Sequence, residues 1–337
     1  MISSKPFKLM ETSVFPGEKA KLALPMPERF SCSPLILPFT VINGKSTGPV
    51  SIVFSGVVGN ELSTIEGINK LTESIEASDV SGTIICVPIL NVLGLTSPNQ
   101  ESDLVGSLLQ SLPGDANGNY VERVANIIYE NLIKKCDCCL FIRTGDPFHK
   151  ALPVSYYDLE NREMKEIADN LNSPVTSHFI DEDNIFSRTM EELKVKLMIL
   201  ECGEANKLEQ DYVDWSYHST REFLSSVGIL SKQSLGEAQN KPLPIRNENW
   251  VISPVAGFFK CYVSLGDRVV KGQTVAGVSD PFDSSKIIDI KSPHDGIVIC
   301  INSKPLVHEG LSLVRVASFL NIDVATEHLE NWEEESY

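Results

Sequence analysis

Apolar and polar positions alternate in two different ways along the chain, and the first pattern runs from about residue 49 to residue 227. Short runs rich in β-branched residues predict buried strands at 49–54, 82–89, 138–142 and 194–200. Between these runs, apolar residues spaced three or four apart predict helices at 61–75, 119–135, 159–171 and 208–224. Strands that alternate with long helices are typical of an α/β domain with a largely parallel or mixed sheet.

The pattern changes after residue 250, where short apolar runs and many glycines replace the helical spacing. The sequence SPVAG at 253–257 has a counterpart, SPHDG, at 292–296. Two similar halves in a compact segment without helical periodicity predict a small all-β barrel-sandwich module, similar to the biotinyl and lipoyl carrier domains.

These patterns divide the chain into five segments. A polar stretch that contains Pro242 and Pro244 predicts a linker between the two folded parts. The last residues are rich in glutamate, and we expect them to be a solvated or frayed end. The predicted segments are N-terminal strands at 1–44, the α/β domain at 45–235, the linker at 236–249, the β module at 250–320 and an acidic tail at 321–337.

Composition and charge exclude some classes of partner. The 337 residues include 29 Lys and Arg against 45 Asp and Glu, which gives a net charge of −16. Such a chain repels phosphate backbones and anionic lipid surfaces, so we expect neither nucleic-acid nor membrane binding. The N-terminus lacks the apolar core of a secretion signal, and no apolar run approaches the ~20 residues of a membrane span. These features predict a cytoplasmic protein; they leave the formation of a homo-oligomer open.

Candidate chemistry lies directly after three of the predicted strands, where ligands of open α/β sheets bind. The three segments read GVVGNE at 56–61, RTG at 143–145 and ECG at 201–203. Together with the β module, their order and spacing resemble the succinylglutamate desuccinylase/aspartoacylase family, whose corresponding motifs are Gly-x-His-Gly-Asp-Glu, His-Thr-Gly and Glu-Leu-Gly. This resemblance implies a zinc-carboxypeptidase-like mixed-sheet domain followed by the small barrel-sandwich module.

The resemblance also implies a catalytic site, from which this chain departs. Members of the family bind one zinc through two histidines and a glutamate, and a second glutamate acts as general base on the bound water. Here Val58 and Arg143 stand at the two histidine positions, so Glu61 is the only retained metal-ligand position. Glu201 stands at the position of the general base.

The pocket implied by the family has a further arginine that clamps the substrate carboxylate. That position falls on Gln110, counted at unchanged spacing from Asn91, which begins the counterpart of the family's Asn-Pro-x-Gly turn. The resemblance thus assigns four residues to the pocket, namely Val58, Asn91, Gln110 and Arg143. We also hypothesise that the Arg143 guanidinium lies among Glu61 and Glu201, in place of the metal charge.

Two functions follow from these departures. The first is a non-catalytic or altered homologue, with no cofactor, that binds a small molecule such as an acylated amino acid in the old pocket. The alternative is a metal-dependent hydrolase of N-acyl amino acids or related amides and esters, with zinc in an unorthodox site. Substitute ligands for that site could come from His149, His178, His218, Cys202 and Asp146. Glu61 also has a purely structural interpretation, because a carboxylate at the start of a helix complements the helix dipole.

Overall fold

The computed structural model describes residues 5–28, 34–96, 108–179, 184–231 and 241–336. Within these ranges it confirms the predicted fold class. One mixed sheet of thirteen strands runs through the molecule, and a separate four-stranded antiparallel sheet lies near the C-terminus. No helix in these ranges combines the length and the apolar character that crossing a membrane would require.

The N-terminal strands extend the edge of the main sheet. A small hairpin comes first, and a long antiparallel pair follows it and is bonded to the sheet through its second strand. The four strands are β1 (Phe7–Leu9), β2 (Thr12–Val14), β3 (Glu18–Pro25) and β4 (Ile36–Asn43).

The central part of the sheet carries the α/β domain. Its strands are β5 (Ser46–Phe54), β6 (Ser81–Val87), β7 (Cys138–Pro147), β8 (His149–Tyr157), β9 (Val175–His178) and β10 (Lys196–Ala205). Its helices are α1 (Leu62–Ser74), α2 (Val92–Thr96), α3 (Tyr120–Asn131), α4 (Arg162–Ala168), α5 (Ile185–Glu192) and α6 (Gln210–Ser226). The neighbours β6, β5, β7 and β10 run parallel, so their carboxyl ends meet at one edge of the domain.

Helices cover both faces of these parallel strands. Successive residues of one strand point to opposite faces, so Val53 and Phe54 belong to two different cores. One core contains Ile68 of α1 and Phe223 of α6, and the other contains Phe186 of α5 together with part of α3. Burial on both faces explains why these strands read as continuous apolar runs.

The β module shares a sheet with the α/β domain. Its strands are β11 (Leu243–Pro244), β12 (Asn247–Ile252), β13 (Gly257–Cys261), β14 (Arg268–Val269), β15 (Thr274–Asp280), β16 (Asp283–Lys291), β17 (Gly296–Asn302), β18 (Leu306–Val307) and β19 (Ser312–Ser318). The strands β16, β15, β13 and β18 form the separate sheet, whereas β12, β19 and β17 continue the main sheet. The join is a short antiparallel pairing of β17 with the first residues of β8.

Two sequence expectations need correction at the ends of the module. Residues 236–240 of the expected linker lie outside the described ranges, but the rest of it is not a free connection: β11 pairs with β9, and residues 247–249 begin β12. The acidic tail is not frayed, since it forms α7 (Ile322–Ser336). Ala325 and Leu329 are buried, and the Trp332 indole donates a hydrogen bond to Asn172 Oδ1 at 3.1 Å.

Candidate functional site

Four of the sequence-predicted residues meet in a cavity of about 190 Å³ at the carboxyl ends of the parallel strands. We call it the strand-end cavity; Val58, Glu61, Gln110 and Arg143 line it, together with aromatic side chains such as Phe141. Glu201 is buried beside Arg143 and is not part of the cavity wall.

Asn91 is not brought to this cavity. It lines a separate small cavity, and its Oδ1 accepts a hydrogen bond from the Gly94 N–H at 3.0 Å. The position therefore supports a turn in this chain, as an asparagine often does.

The turn after β5 positions Val58 and Glu61. Gly59 has a φ of +93°, and a Cβ there would lie 2.2 Å from the Gly94 carbonyl carbon, so only glycine fits. Glu61 is the residue before α1, and its Oε2 accepts a hydrogen bond from the Val58 N–H at 3.1 Å. The carboxylate thus folds back onto the turn.

Burial dominates the electrostatics of Glu61. It raises the pKa of this carboxyl to about 7, although the Val58 N–H and the charge of Arg143 act in the opposite direction. Near neutral pH, Glu61 is therefore divided between its neutral and its ionised form.

Arg143 forms an ion pair with Glu201. The two residues lie opposite each other on the parallel neighbours β7 and β10, and Arg143 Nη2 is 2.6 Å from Glu201 Oε2. The guanidinium lies 5.5 Å from the centroid of the Tyr156 ring, and about a third of the side chain (34%) is exposed. Among the described residues, Arg143 does not form an ion pair with Glu61. The hypothesised contact therefore holds for Glu201, whereas at Glu61 the charge of Arg143 only lowers the pKa through space.

Sequence reasoning missed a second cation at this carboxylate. Arg315 of β19 places Nη2 2.7 Å from Glu201 Oε1, and the Tyr156 hydroxyl donates to the same oxygen at 3.3 Å. Burial alone would raise the pKa of Glu201, but the charges of Arg143 and Arg315 outweigh it and lower the pKa to about 2. The signal in the sequence was a single arginine within the apolar run LVRVA at 313–317.

Most of the proposed substitute metal ligands point elsewhere. His149 Nε2 lies 3.3 Å from the Ser312 carbonyl oxygen, and its ring packs edge-on against Trp250. His178 Nδ1 accepts from the Leu159 N–H.

Of the remaining three candidates, two lie at α6 and one lies in the cavity wall. His218 packs edge-on against Tyr217, and Cys202 lies against Ser216, whereas Asp146 does line the strand-end cavity. Across the described ranges, no three side chains of His, Cys, Asp or Glu type are grouped closely enough to hold a metal ion.

Two larger cavities of about 460 and 690 Å³ contain none of the residues that the sequence assigned to the site. The first lies beside α4 and α5, and the second lies between α6 and the β module. We place the candidate site at the smaller cavity, because polar groups converge there at the ends of the parallel strands.

A mixed sheet with its polar site at the strand ends, joined to a β module, defines the class of two-part α/β proteins to which this chain belongs. Within that class, the model of the succinylglutamate desuccinylase/aspartoacylase catalytic domain matches residues 47–226, and the chain belongs to this family.

Relatives resemble the chain over most of its length. The N-alpha-acetyl-L-2,4-diaminobutyric acid deacetylase of Halomonas elongata is 24% identical over 298 residues, which are 84% of this chain and 86% of that protein. The product-bound ectoine utilization protein of Ruegeria pomeroyi superimposes with a TM-score of 0.80 at 21% identity, over 93% of this chain and 99% of that one. The succinylglutamate desuccinylase/aspartoacylase of Rhodobacter sphaeroides superimposes with a TM-score of 0.79 at 18% identity, over 94% of this chain and 99% of that one. The two solved structures establish the shared fold.

Proposed function

We propose that this family member binds a small molecule in the strand-end cavity without hydrolysing it. One observation carries the proposal: the ion pair between Arg143 and Glu201 stands where the family pattern has a metal-binding histidine and the general base. The former catalytic centre has become a salt-bridged cluster.

The residues of the cavity do not fit a catalytic zinc ion. Such sites use three protein ligands and keep one position for water. Val58 has a hydrocarbon side chain, and Arg143 is a permanent cation that repels a metal. Of the family's ligand positions in this cavity, Glu61 alone keeps a ligating side chain, and the pKa of about 7 leaves it partly protonated at neutral pH.

The cavity wall suits a ligand with one anionic group and nearby N–H donors. Arg143 is the one basic side chain among the described residues of the wall, and its exposed part is available to a carboxylate. Asn60 Oδ1 and Thr144 Oγ1 are buried in the same wall without a hydrogen-bond partner among the described residues. A small acylated amino acid, with its carboxylate on Arg143, offers an amide N–H to such an acceptor.

Calorimetric titration tests this proposal with N-acetyl-L-alanine and its uncharged amide as probes. We expect the carboxylate to bind and the amide to bind at least tenfold more weakly, because a hydrogen bond to a charged group contributes roughly 1.5–3 kcal/mol. R143M should remove the difference between the two probes. The control R162M changes an exposed arginine paired with Glu166 on α4 and should bind like the unchanged protein. Equal affinity for both probes would contradict the role given to Arg143.

The second candidate function is a metal-dependent deacylase. The retention of Glu61 and Glu201 favours it, and so does the deacetylase activity in the name of the Halomonas elongata relative. Metal analysis of protein purified without chelator or a nickel column separates the two functions. Stoichiometric zinc supports the deacylase, and absence of zinc together with carboxylate binding supports the non-hydrolytic protein.

A further inference from the structure

A buried group of charges crosses the boundary between the α/β domain and the β module. We call it the seam cluster: it consists of Arg143 and Tyr156 on one side, Arg315 on the other, and Glu201 between them. The strands that carry it, β7, β8, β10 and β19, belong to one sheet.

Arg315 is an unusual residue for its place in β19. Val314 and Val316 on either side of it are fully buried, and the arginine side chain is itself only 12% exposed. A buried cation is costly unless it is paired and hydrogen-bonded. Its close partner is Glu201 at 2.7 Å; Glu248 lies further away at 3.7 Å, and the Trp250 ring centroid is 5.5 Å from the guanidinium.

Glu201 has both carboxylate oxygens engaged by the cluster. Oε1 accepts from Arg315 and Tyr156, and Oε2 lies against Arg143. The orientation of the carboxylate is therefore fixed from the module side by Arg315, and the carboxylate in turn determines where Arg143 meets the strand-end cavity.

We infer that Arg315 is a positioning residue, through which the β module holds the Glu201–Arg143 pair and thereby shapes the ligand site of the other domain. Arg315 does not line the strand-end cavity, so it acts through Glu201. The effect on the ligand rests on the proposed function, whereas the coupling of Arg315 to Glu201 does not.

A double-mutant cycle in the full-length protein without ligand tests the coupling. The variants are R315M, E201Q and R315M/E201Q, compared by their melting temperature at pH 7. R315M removes one of the two cations that hold Glu201, and E201Q takes the close partner away from the buried Arg315, so we expect each single variant to melt about 4–7 °C lower. The double variant should melt clearly higher than the sum of the two shifts predicts, because both partners are gone. Additive shifts would overturn the inference.

The matched control is R268M, which removes an arginine of the same module that pairs with Asp323 on the surface. It should shift the melting temperature little and give additive shifts with E201Q. If R315M does not fold, R315K takes its place in the cycle. Lysine keeps the charge but not the planar geometry of the guanidinium, so a smaller coupling is expected.

Titration of R315M with N-acetyl-L-alanine tests the consequence for the ligand. We expect roughly tenfold weaker binding than in R268M, because residues of one hydrogen-bonded network act together. Coupling in the cycle with no binding by any variant means that the proposed function has failed while the positioning of Glu201 stands. Unchanged affinity in R315M, with carboxylate binding present, overturns the link between the module and the ligand site.

Discussion

The individual side chains of the site could be placed from the sequence where spacing within one motif fixed them. Val58 and Glu61 follow the end of β5, Arg143 lies within β7, and all three line the strand-end cavity. Among them, Glu61 carries a buried carboxylate. Its carboxylate folds onto the Val58 N–H, which shows a structural use for it in the turn before α1.

The raised pKa of Glu61 predicts a pH-dependent contribution to stability. Between about pH 4.5 and pH 7 the unfolded chain loses this proton while the folded protein keeps it, so the contribution of Glu61 to stability falls as the pH rises. The variant E61Q cannot ionise. We therefore expect its free energy of unfolding to rise relative to that of the unchanged protein by up to about 3 kcal/mol across this range. Urea unfolding of both proteins at pH 5 and pH 7.5 measures this change. A difference between the two proteins that stays constant with pH would show that Glu61 titrates normally.

Residues that act across long sequence separations could not be predicted in the same way. Arg315 lies 114 positions from its partner Glu201, and the pattern of apolar residues does not say which strands become neighbours. Asn91 illustrates the opposite error, since it matched a motif but lines a separate small cavity, where its side chain supports a turn.

At the level of helices and strands, the apolar runs predicted the buried parallel strands well. Elements with less regular patterns were missed, namely β8, β9 and α5. Pro153 lies within β8, and proline normally argues against a strand with neighbours on both sides. Among the described pairings, Pro153 itself has no partner: it falls at the register shift between Val154 and Ala151 in the pairing with β10, and the pairing with β17 ends at Ala151. Such irregular positions accommodate proline within a sheet.

The arrangement of the strand ends predicts the result of restoring the family's ligands. In V58H/R143H, two imidazoles and Glu61 would project from the turn after β5 and from β7, which supplies the three protein ligands of a zinc site. We expect this variant to bind close to one equivalent of zinc, measured by elemental analysis after dialysis.

The matched control for this prediction is V58A/R143A, which loses the same two side chains without adding ligands and should bind no zinc. If V58H/R143H also remains free of zinc, the turn and the strand end no longer hold the geometry of the family's metal site.

At the scale of the whole molecule, the separate segments expected from the sequence are joined more closely than their composition indicated. The tail was expected to be solvated because glutamates dominate it, but the buried Ala325 and Leu329 and the half-buried Trp332 are spaced four and three apart on one face of α7. A few apolar residues at helical spacing, among many charged ones, are therefore enough to form a helix that packs against the core.

Removing that apolar face should destabilise the protein. L329A deletes a buried side chain of α7, and such changes cost about 2–5 kcal/mol. E330A alters its exposed neighbour and should change the free energy of unfolding by no more than about 0.5 kcal/mol. Chemical unfolding compares the two; equal small effects would mean that the tail contributes little to the folded state.

The pairing of β17 with β8 has a consequence for how this protein can change over evolutionary time. A module that shares a backbone ladder with its neighbour cannot be exchanged as an independent unit, because its loss bares the edge of β8 at the end of the remaining sheet. A gene truncated after the α/β domain would therefore yield a product that aggregates instead of a smaller working protein. Selection on either half is thus selection on both.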